Sequence, residues 1–142
     1  MTRLLLVALA LLVAGGAGYI RLAPSDPARW HVPPAGAESP PGEIAPVKGG
    51  ATLHLTARDP AALLAALDVV ALATPRTQRL AGSVEEGRIT WVTRSQLWGF
   101  PDYTTAEVTP DGLALYARQR FGSNDWGGER PSAGDLARAA FA

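Results

Sequence analysis

The sequence predicts an α+β domain whose antiparallel sheet has about five strands and carries helices on one face. Three observations lead to this prediction. An uninterrupted apolar run opens the chain, prolines crowd the segment after it, and the remainder alternates like strands together with two helical stretches. These shifts divide the 142 residues into an N-terminal apolar helix over residues 1–21, a proline-rich tether over 22–50 and one folded domain over 51–142.

The apolar run over residues 4–20 indicates a membrane segment or an export signal. Arg3 precedes it and Arg21 closes it, and its length meets the lower limit of about 17 residues for a spanning helix. Tyr19 suits an interfacial anchor. The small residues near Ala17 also fit a signal-peptide cleavage site, although no clean Ala-x-Ala pattern is present. We expect a single-pass inner-membrane protein with its C-terminal domain in the periplasm; the alternative is secretion to the periplasm after cleavage.

The tether is predicted from its proline content. Seven of the twelve prolines lie in residues 21–50. Because proline removes backbone donors and fixes φ, and because apolar residues are few, this stretch reads as an extended linker. Trp30 is its one large aromatic residue, expected either at the membrane surface or docked on the domain.

The domain begins with a strand and a helix. "ATLHLTA", residues 51–57, alternates as a strand does. Asp59 then supplies a helix N-cap, and Pro60 stands at the first helical position, where proline is well tolerated. Pro75 stops the helix from continuing.

Further strands and a closing helix complete the predicted order β-α-β-β-β-β-α. The turn "TPDG" separates the last two strands, and "PSAGDLARAAFA" begins with Ser132 and Asp135 in a capping-box arrangement. The strands are "TQRLAGS", "RITWVTRSQL", "YTTAEV" and "LALYARQRF".

Composition argues against several classes of function. Thirteen basic and thirteen acidic residues leave no basic excess for a nucleic-acid partner. The absence of cysteine excludes disulfides, thiolate metal sites and a cysteine nucleophile. His31 falls in the tether and His54 reads as a surface strand residue. The sequence therefore predicts no metal site, no cofactor and no catalytic residue.

Because side chains alternate between the two faces along a strand, several cationic side chains are expected on the same face of the sheet. Tyr116, Arg118 and Arg120 alternate away from the leucines of the last strand, and Arg94 is expected on the same face. Neighbouring arginines repel each other unless a carboxylate or a bound anion lies between them. Asp102 and Asp125, placed in loops near the strand ends, are the expected internal partners.

Two separated motifs carry a resemblance to a known family. The pairing of "TRSQLWGFPDYTTAEV" with "LALYARQRFGSNDWGGER" resembles a widespread, uncharacterised bacterial family, domain of unknown function 1499, over most of residues 51–142. The positions that match its motifs are Gly99, Phe100, Pro101, Asp102, Arg118, Arg120, Gly122, Asp125, Gly127 and Arg130. The chain departs from the family pattern at Ala117, Gln119, Glu129 and Ser132. The resemblance implies an envelope or membrane-associated domain and no known activity.

Three interpretations of the charged cluster remain open. In the first, Arg118 or Arg120 pairs with Asp102 or Asp125 in a structural ion-pair network that Trp126 covers. In the second, the domain is a binding module for an anionic or amphipathic envelope molecule. In the third, an enzyme uses Asp102 or Asp125 as a general acid or base. The candidate cluster consists of Arg94, Asp102, Tyr116, Arg118, Arg120, Asp125, Trp126 and Arg130, and Trp98 would add apolar contact in the binding module.

Overall fold

The computed structural model describes residues 1–34, 40–47 and 49–120. Its sheet has six antiparallel strands in the order β1-β2-β6-β5-β4-β3, so the predicted α+β class is confirmed with one strand more than expected. The predicted closing helix lies outside the described residues, as do Asp125, Trp126 and Arg130. The elements are α1 (Thr2–Leu22), α2 (Pro27–Trp30), β1 (Ile44–Val47), β2 (Gly50–Thr56), α3 (Pro60–Ala73), β3 (Thr77–Ser83), β4 (Arg88–Arg94), β5 (Pro101–Thr109) and β6 (Gly112–Gln119).

The additional strand, β1, comes from the proline-rich segment. It pairs antiparallel with β2 at the edge of the sheet and includes Pro46. Proline is tolerated there because an edge strand bonds to a neighbour on one side only. The sheet thus begins at Ile44, earlier than the boundary at residue 51 that composition suggested.

Helix α3 forms as the sequence predicts and covers one face of the sheet. The Asp59 side chain accepts a hydrogen bond from the Ala62 amide at 2.9 Å, and Pro60 occupies the first turn. Leu64 is fully buried against a cluster from the central strands. This cluster contains Ile89, Trp91, Ala106, Leu113 and Leu115.

The core beneath α3 contains one buried carboxylate among the described residues, that of Asp68. Asp68, on the buried side of α3, accepts a hydrogen bond from Nε1 of Trp91 at 2.8 Å and forms an ion pair with Arg79 of β3. The hydrogen bonds that the Arg79 guanidinium donates to Asp68 raise the pKa of Arg79. Because buried polar groups are costly without partners, Asp68 fixes where α3 lies relative to β3 and β4.

The second face of the sheet is covered by the segment that follows α1. Trp30 is only 8% exposed, and its ring stacks on Tyr103 with centroids 3.8 Å apart and planes at 9°. Val92 and Leu80 complete this smaller apolar cluster. Residues 23–31, named the docking segment here, therefore pack on the domain instead of forming an extended linker. One buried tryptophan removes enough apolar surface from water to hold a short chain in place.

Candidate functional site

Arg118 lies beneath the docking segment and binds it. The residue is 8% exposed, and its guanidinium donates hydrogen bonds of 2.6 Å to the Trp30 carbonyl and to Oγ1 of Thr105. It also lies over the rings of Tyr116 and Trp30, at 4.6 Å and 5.5 Å from their centroids. Burial lowers the pKa of Arg118 from its usual value. A carbonyl and two aromatic faces thus replace the expected carboxylate as partners of this cation.

The expected ion pair between Arg118 and Asp102 does not form, because the two side chains lie on opposite faces. Arg118 is in register with Tyr103, whose side chain faces the docking segment. Asp102 precedes Tyr103 on the same strand, so strand alternation directs it to the face that α3 covers. Although part of the Asp102 surface is accessible to solvent, burial raises its pKa to about 6. Among the described residues, no basic side chain forms an ion pair with Asp102.

Further hydrogen bonds hold the docking segment along its length. Ser25 Oγ bonds to the Tyr103 hydroxyl at 2.8 Å, and Nδ1 of His31 lies 2.9 Å from Oγ1 of Thr90. Arg120 donates to the Pro24 carbonyl at 2.8 Å. The predicted face of Tyr116, Arg118 and Arg120 is correct, and both arginines contact the N-terminal segment.

His54 is buried, contrary to the expectation of a surface residue. Its Nε2 lies 3.3 Å from Oγ1 of Thr109 and 3.2 Å from Oδ1 of Asp111, at the β5–β6 turn. The neighbouring β1 and the bridge from Pro41 cover this part of β2. In the part of the chain that the structure describes, no group of three or more histidines and acids is placed to hold a metal ion.

A cleft of about 360 Å³ opens where α1 ends and brings together three arginines. Arg21 comes from the last turn of α1, Arg76 precedes β3, and Arg94 ends β4. Arg94 is thus on the same face of the sheet as Arg118, as predicted, but it lines this cleft and does not bond to the described partners of the Arg118 side chain. The other residues that line it are Gln78, Val92, Ser95, Gln96 and Gly99. We call this cavity the arginine cleft.

Main-chain carbonyls hold the three guanidinium groups in place. Arg21 donates to the Leu97 carbonyl at 2.9 Å, Arg76 to the Arg94 carbonyl at 3.1 Å, and Arg94 to the Gly99 carbonyl at 3.1 Å. A guanidinium carries several N–H groups, so each retains donors beyond these bonds. None of the described residues that line the cleft is acidic. The cleft is therefore a concave site with excess positive charge.

Arg76 also has an unusual backbone. Its φ of 61° is left-handed, and among the described residues no other non-glycine residue has a positive φ. This conformation costs a residue with a Cβ about 1–2 kcal/mol. Strained residues of this kind cluster at functional sites. Sequence reasoning missed Arg76, and it treated Arg21 only as the flank of an apolar helix.

The loop over residues 95–100 forms one wall of the cleft, and we call it the apolar loop. Ser95 and Phe100 close it with a main-chain bond of 3.0 Å, and the Ser95 hydroxyl accepts from the Phe100 amide at 2.9 Å. Gly99, with φ of 70°, permits the turn, and an added Cβ would approach Cγ of Arg21 to 2.8 Å. At the tip, Leu97 is 73% exposed and Trp98 is 45% exposed.

No residue of helix α1 is buried, although Ala17, Gly18 and Ile20 near its end are half-buried. The helix has 21 residues, and an 18-residue window of it has a mean hydropathy of 2.0. Such a helix is compatible with a membrane anchor or a signal sequence.

Comparisons with family models, with curated proteins and with solved structures find no match for this chain. Fold and site thus define an α+β domain that joins an apolar N-terminal helix and carries a basic cleft at the junction.

Proposed function

We propose that this protein is a membrane-anchored binding module that holds the anionic group of an amphipathic envelope molecule in the arginine cleft. The observation that carries the proposal is the convergence of Arg21, Arg76 and Arg94 on one cavity whose described lining has no acidic residue. Arginine matches phosphate and carboxylate groups because its planar fork donates two parallel hydrogen bonds. A volume of about 360 Å³ falls at the small end of ligand sites and suits a headgroup.

The position of the cleft favours a ligand that comes from the membrane. Arg21 belongs to the last turn of α1, so a spanning α1 places the cleft at the level of lipid headgroups. In this proposal α1 is an uncleaved anchor in the inner membrane and the domain faces the periplasm. The resemblance to domain of unknown function 1499 supports an envelope setting.

The strained backbone of Arg76 supports binding over a purely structural role. Glycine would adopt φ of 61° without strain, yet this position carries a long cationic side chain. Its bond to the Arg94 carbonyl is exposed and contributes little to stability. A ligand that needs this guanidinium gives a reason to retain it. Arg118 and Arg120 do have structural partners, since both donate to carbonyls of the docking segment, although Arg118 does not form the ion pair with Asp102 that the structural interpretation allowed. A structural role of those two arginines leaves the cleft unexplained.

The enzymatic alternative rests on Asp102. A pKa of about 6 suits a general acid or base. Asp102 nevertheless belongs to the α3 face, and none of the ion pairs among the described residues includes it. The geometry supports binding more strongly than catalysis.

The experiment is a phosphorus NMR titration of glycerol phosphate with the full chain in a phosphorus-free, non-ionic detergent. Binding to the wild-type protein should broaden the phosphate signal. Arg76→Gly should weaken this binding about tenfold or more, because a charge-assisted hydrogen bond contributes about 1.5–3 kcal/mol. The same variant should keep or raise the melting temperature, since glycine relieves the left-handed strain.

Arg58→Gly is the matched control, because it removes an equal charge from an exposed position at the opposite end of the sheet. It should bind glycerol phosphate as the wild-type protein does. Equal weakening by the two variants would show that net charge alone attracts the anion. Unchanged binding by Arg76→Gly would refute the proposed site.

A further inference from the structure

We infer that the apolar loop, residues 95–100, enters the interface of the bilayer that contains α1 and forms a second membrane attachment. The tip presents Leu97 and Trp98 to solvent, at 73% and 45% exposure. This pair is the kind of apolar and amphipathic surface that lies favourably at the boundary between headgroups and acyl chains. The inference rests on the proposed anchoring of α1 in a membrane, but it does not depend on whether the arginine cleft holds a ligand.

The first argument is the depth of the loop. Helix α1 has 21 residues, which at about 1.5 Å per residue gives a length of roughly 31 Å. The hydrocarbon core of a bilayer is about 30 Å thick, so the last turn of α1 ends at the interface. The Arg21 side chain in that turn donates to the Leu97 carbonyl at 2.9 Å. That bond holds the tip of the loop at the level where the helix leaves the membrane.

The second argument is the rigidity of the connection. Only Leu22 separates Arg21 from the docking segment, whose Trp30 is buried on the sheet. The Pro24 carbonyl also accepts a hydrogen bond from Arg120. No long linker separates the domain from α1. The orientation of the domain relative to α1 is therefore fixed within a few residues of the membrane surface.

The third argument is the distribution of charge between the two ends of the sheet. The end that carries the apolar loop presents Arg21, Arg76 and Arg94, and Asp102 at the start of β5 is an exposed acid at the same end. The opposite end presents exposed acids in its turns, including Glu85, Glu86 and Asp111, with Arg58 as an exposed cation. An anionic bilayer surface attracts the first end and repels the second, which turns the apolar loop toward the lipid.

The loop itself is built to keep its tip outward. The hydrogen bonds between Ser95 and Phe100 close its base, and Arg94 holds the Gly99 carbonyl. The tip therefore cannot fold back onto the sheet without breaking these contacts. Burial in lipid removes from water the apolar surface that this conformation exposes.

Because the chain contains no cysteine, a single introduced cysteine can be labelled at a chosen position. The full chain with Leu97→Cys is labelled with an environment-sensitive NBD fluorophore and reconstituted into vesicles of phosphatidylcholine and phosphatidylglycerol. Glu86→Cys is the matched control, because its label lies beyond the other end of β4, roughly 20 Å away for a strand of seven residues. Lipids with a nitroxide near the headgroup end of the acyl chain serve as quenchers.

We expect the label at position 97 to emit at shorter wavelength and to lose most of its emission with the nitroxide lipid. The label at position 86 should show neither effect. Equal emission and equal quenching at the two positions would overturn the inference. A blue-shifted label at position 97 that nitroxide lipid does not quench would also overturn it, because protein and not lipid would then cover the tip. Circular dichroism of both labelled chains checks that the sheet is intact.

Discussion

Replacing Trp30 by alanine tests whether the docking segment is part of the folded domain. A tryptophan that is 8% exposed removes about 150–250 Å² from water, which corresponds to about 4–6 kcal/mol at about 25 cal/mol per Å². Measured costs of Trp→Ala in protein cores are about 3–5 kcal/mol. The stacking contact with Tyr103 at 3.8 Å lies within this total. We expect the free energy of unfolding to fall by about 3–5 kcal/mol, a large part of the 5–15 kcal/mol typical of a domain.

The assay is urea denaturation of the full chain in non-ionic detergent, followed by far-UV circular dichroism, from which the unfolding midpoints of wild type and variant are compared. Trp98→Ala is the control, because this tryptophan lies at an exposed loop tip and should cost less than about 1 kcal/mol. Limited trypsin digestion adds a local readout. Cleavage after Arg29, the residue before Trp30 in α2, should accelerate strongly in Trp30→Ala. An unchanged urea midpoint, or an equal loss in Trp98→Ala, would refute the docked arrangement.

Two further predictions concern the carboxylates. Asp68→Ala should lower the free energy of unfolding by about 1–3 kcal/mol, because the buried Nε1 group of Trp91 loses its acceptor; urea denaturation measures the change. Asp102 has a folded-state pKa of about 6 against an ordinary value of 3.8, so the folded state binds its proton more tightly. This group therefore makes the wild-type protein lose stability as pH rises from about 4 to about 6, with no further change above that window. Asp102→Asn should remove this contribution, so the melting temperature of the variant relative to wild type should be higher at about pH 7 than at about pH 4. Thermal scans of both proteins at these two pH values measure the difference, and an equal difference at the two values would contradict the prediction.

Much of the fold follows from local signals in the sequence. Helix α3 begins at Asp59 and Pro60 because an N-cap and an N-terminal proline act through neighbouring residues. Strand alternation places Arg118 on the face away from α3 because parity is a property of one strand. The docked position of Trp30 could not be predicted in the same way, since its partner Tyr103 is far along the chain. The proline content predicted an extended linker, but the packing of Trp30 on the sheet holds this segment against the domain.

The site was harder to predict than the fold. Asp102 was expected as a partner of Arg118 because it was placed in a loop near the strand ends. It belongs instead to β5, where strand alternation separates it from Arg118. The arginine cleft combines residues from three distant segments, and nothing in the sequence around Arg21 or Arg76 links them. The left-handed backbone of Arg76 is equally invisible in a sequence, because arginine there gives no turn signal.

Native mass spectrometry of the full chain, released from nanodiscs with equal amounts of phosphatidylcholine and phosphatidylglycerol, tests most directly whether the arginine cleft binds an anionic amphiphile. The account predicts that the wild-type protein retains the anionic lipid in preference to the neutral one, and that Arg76→Gly loses this preference while Arg58→Gly keeps it. Retention of both lipids in proportion to their abundance, or the same preference in all three proteins, would contradict the account.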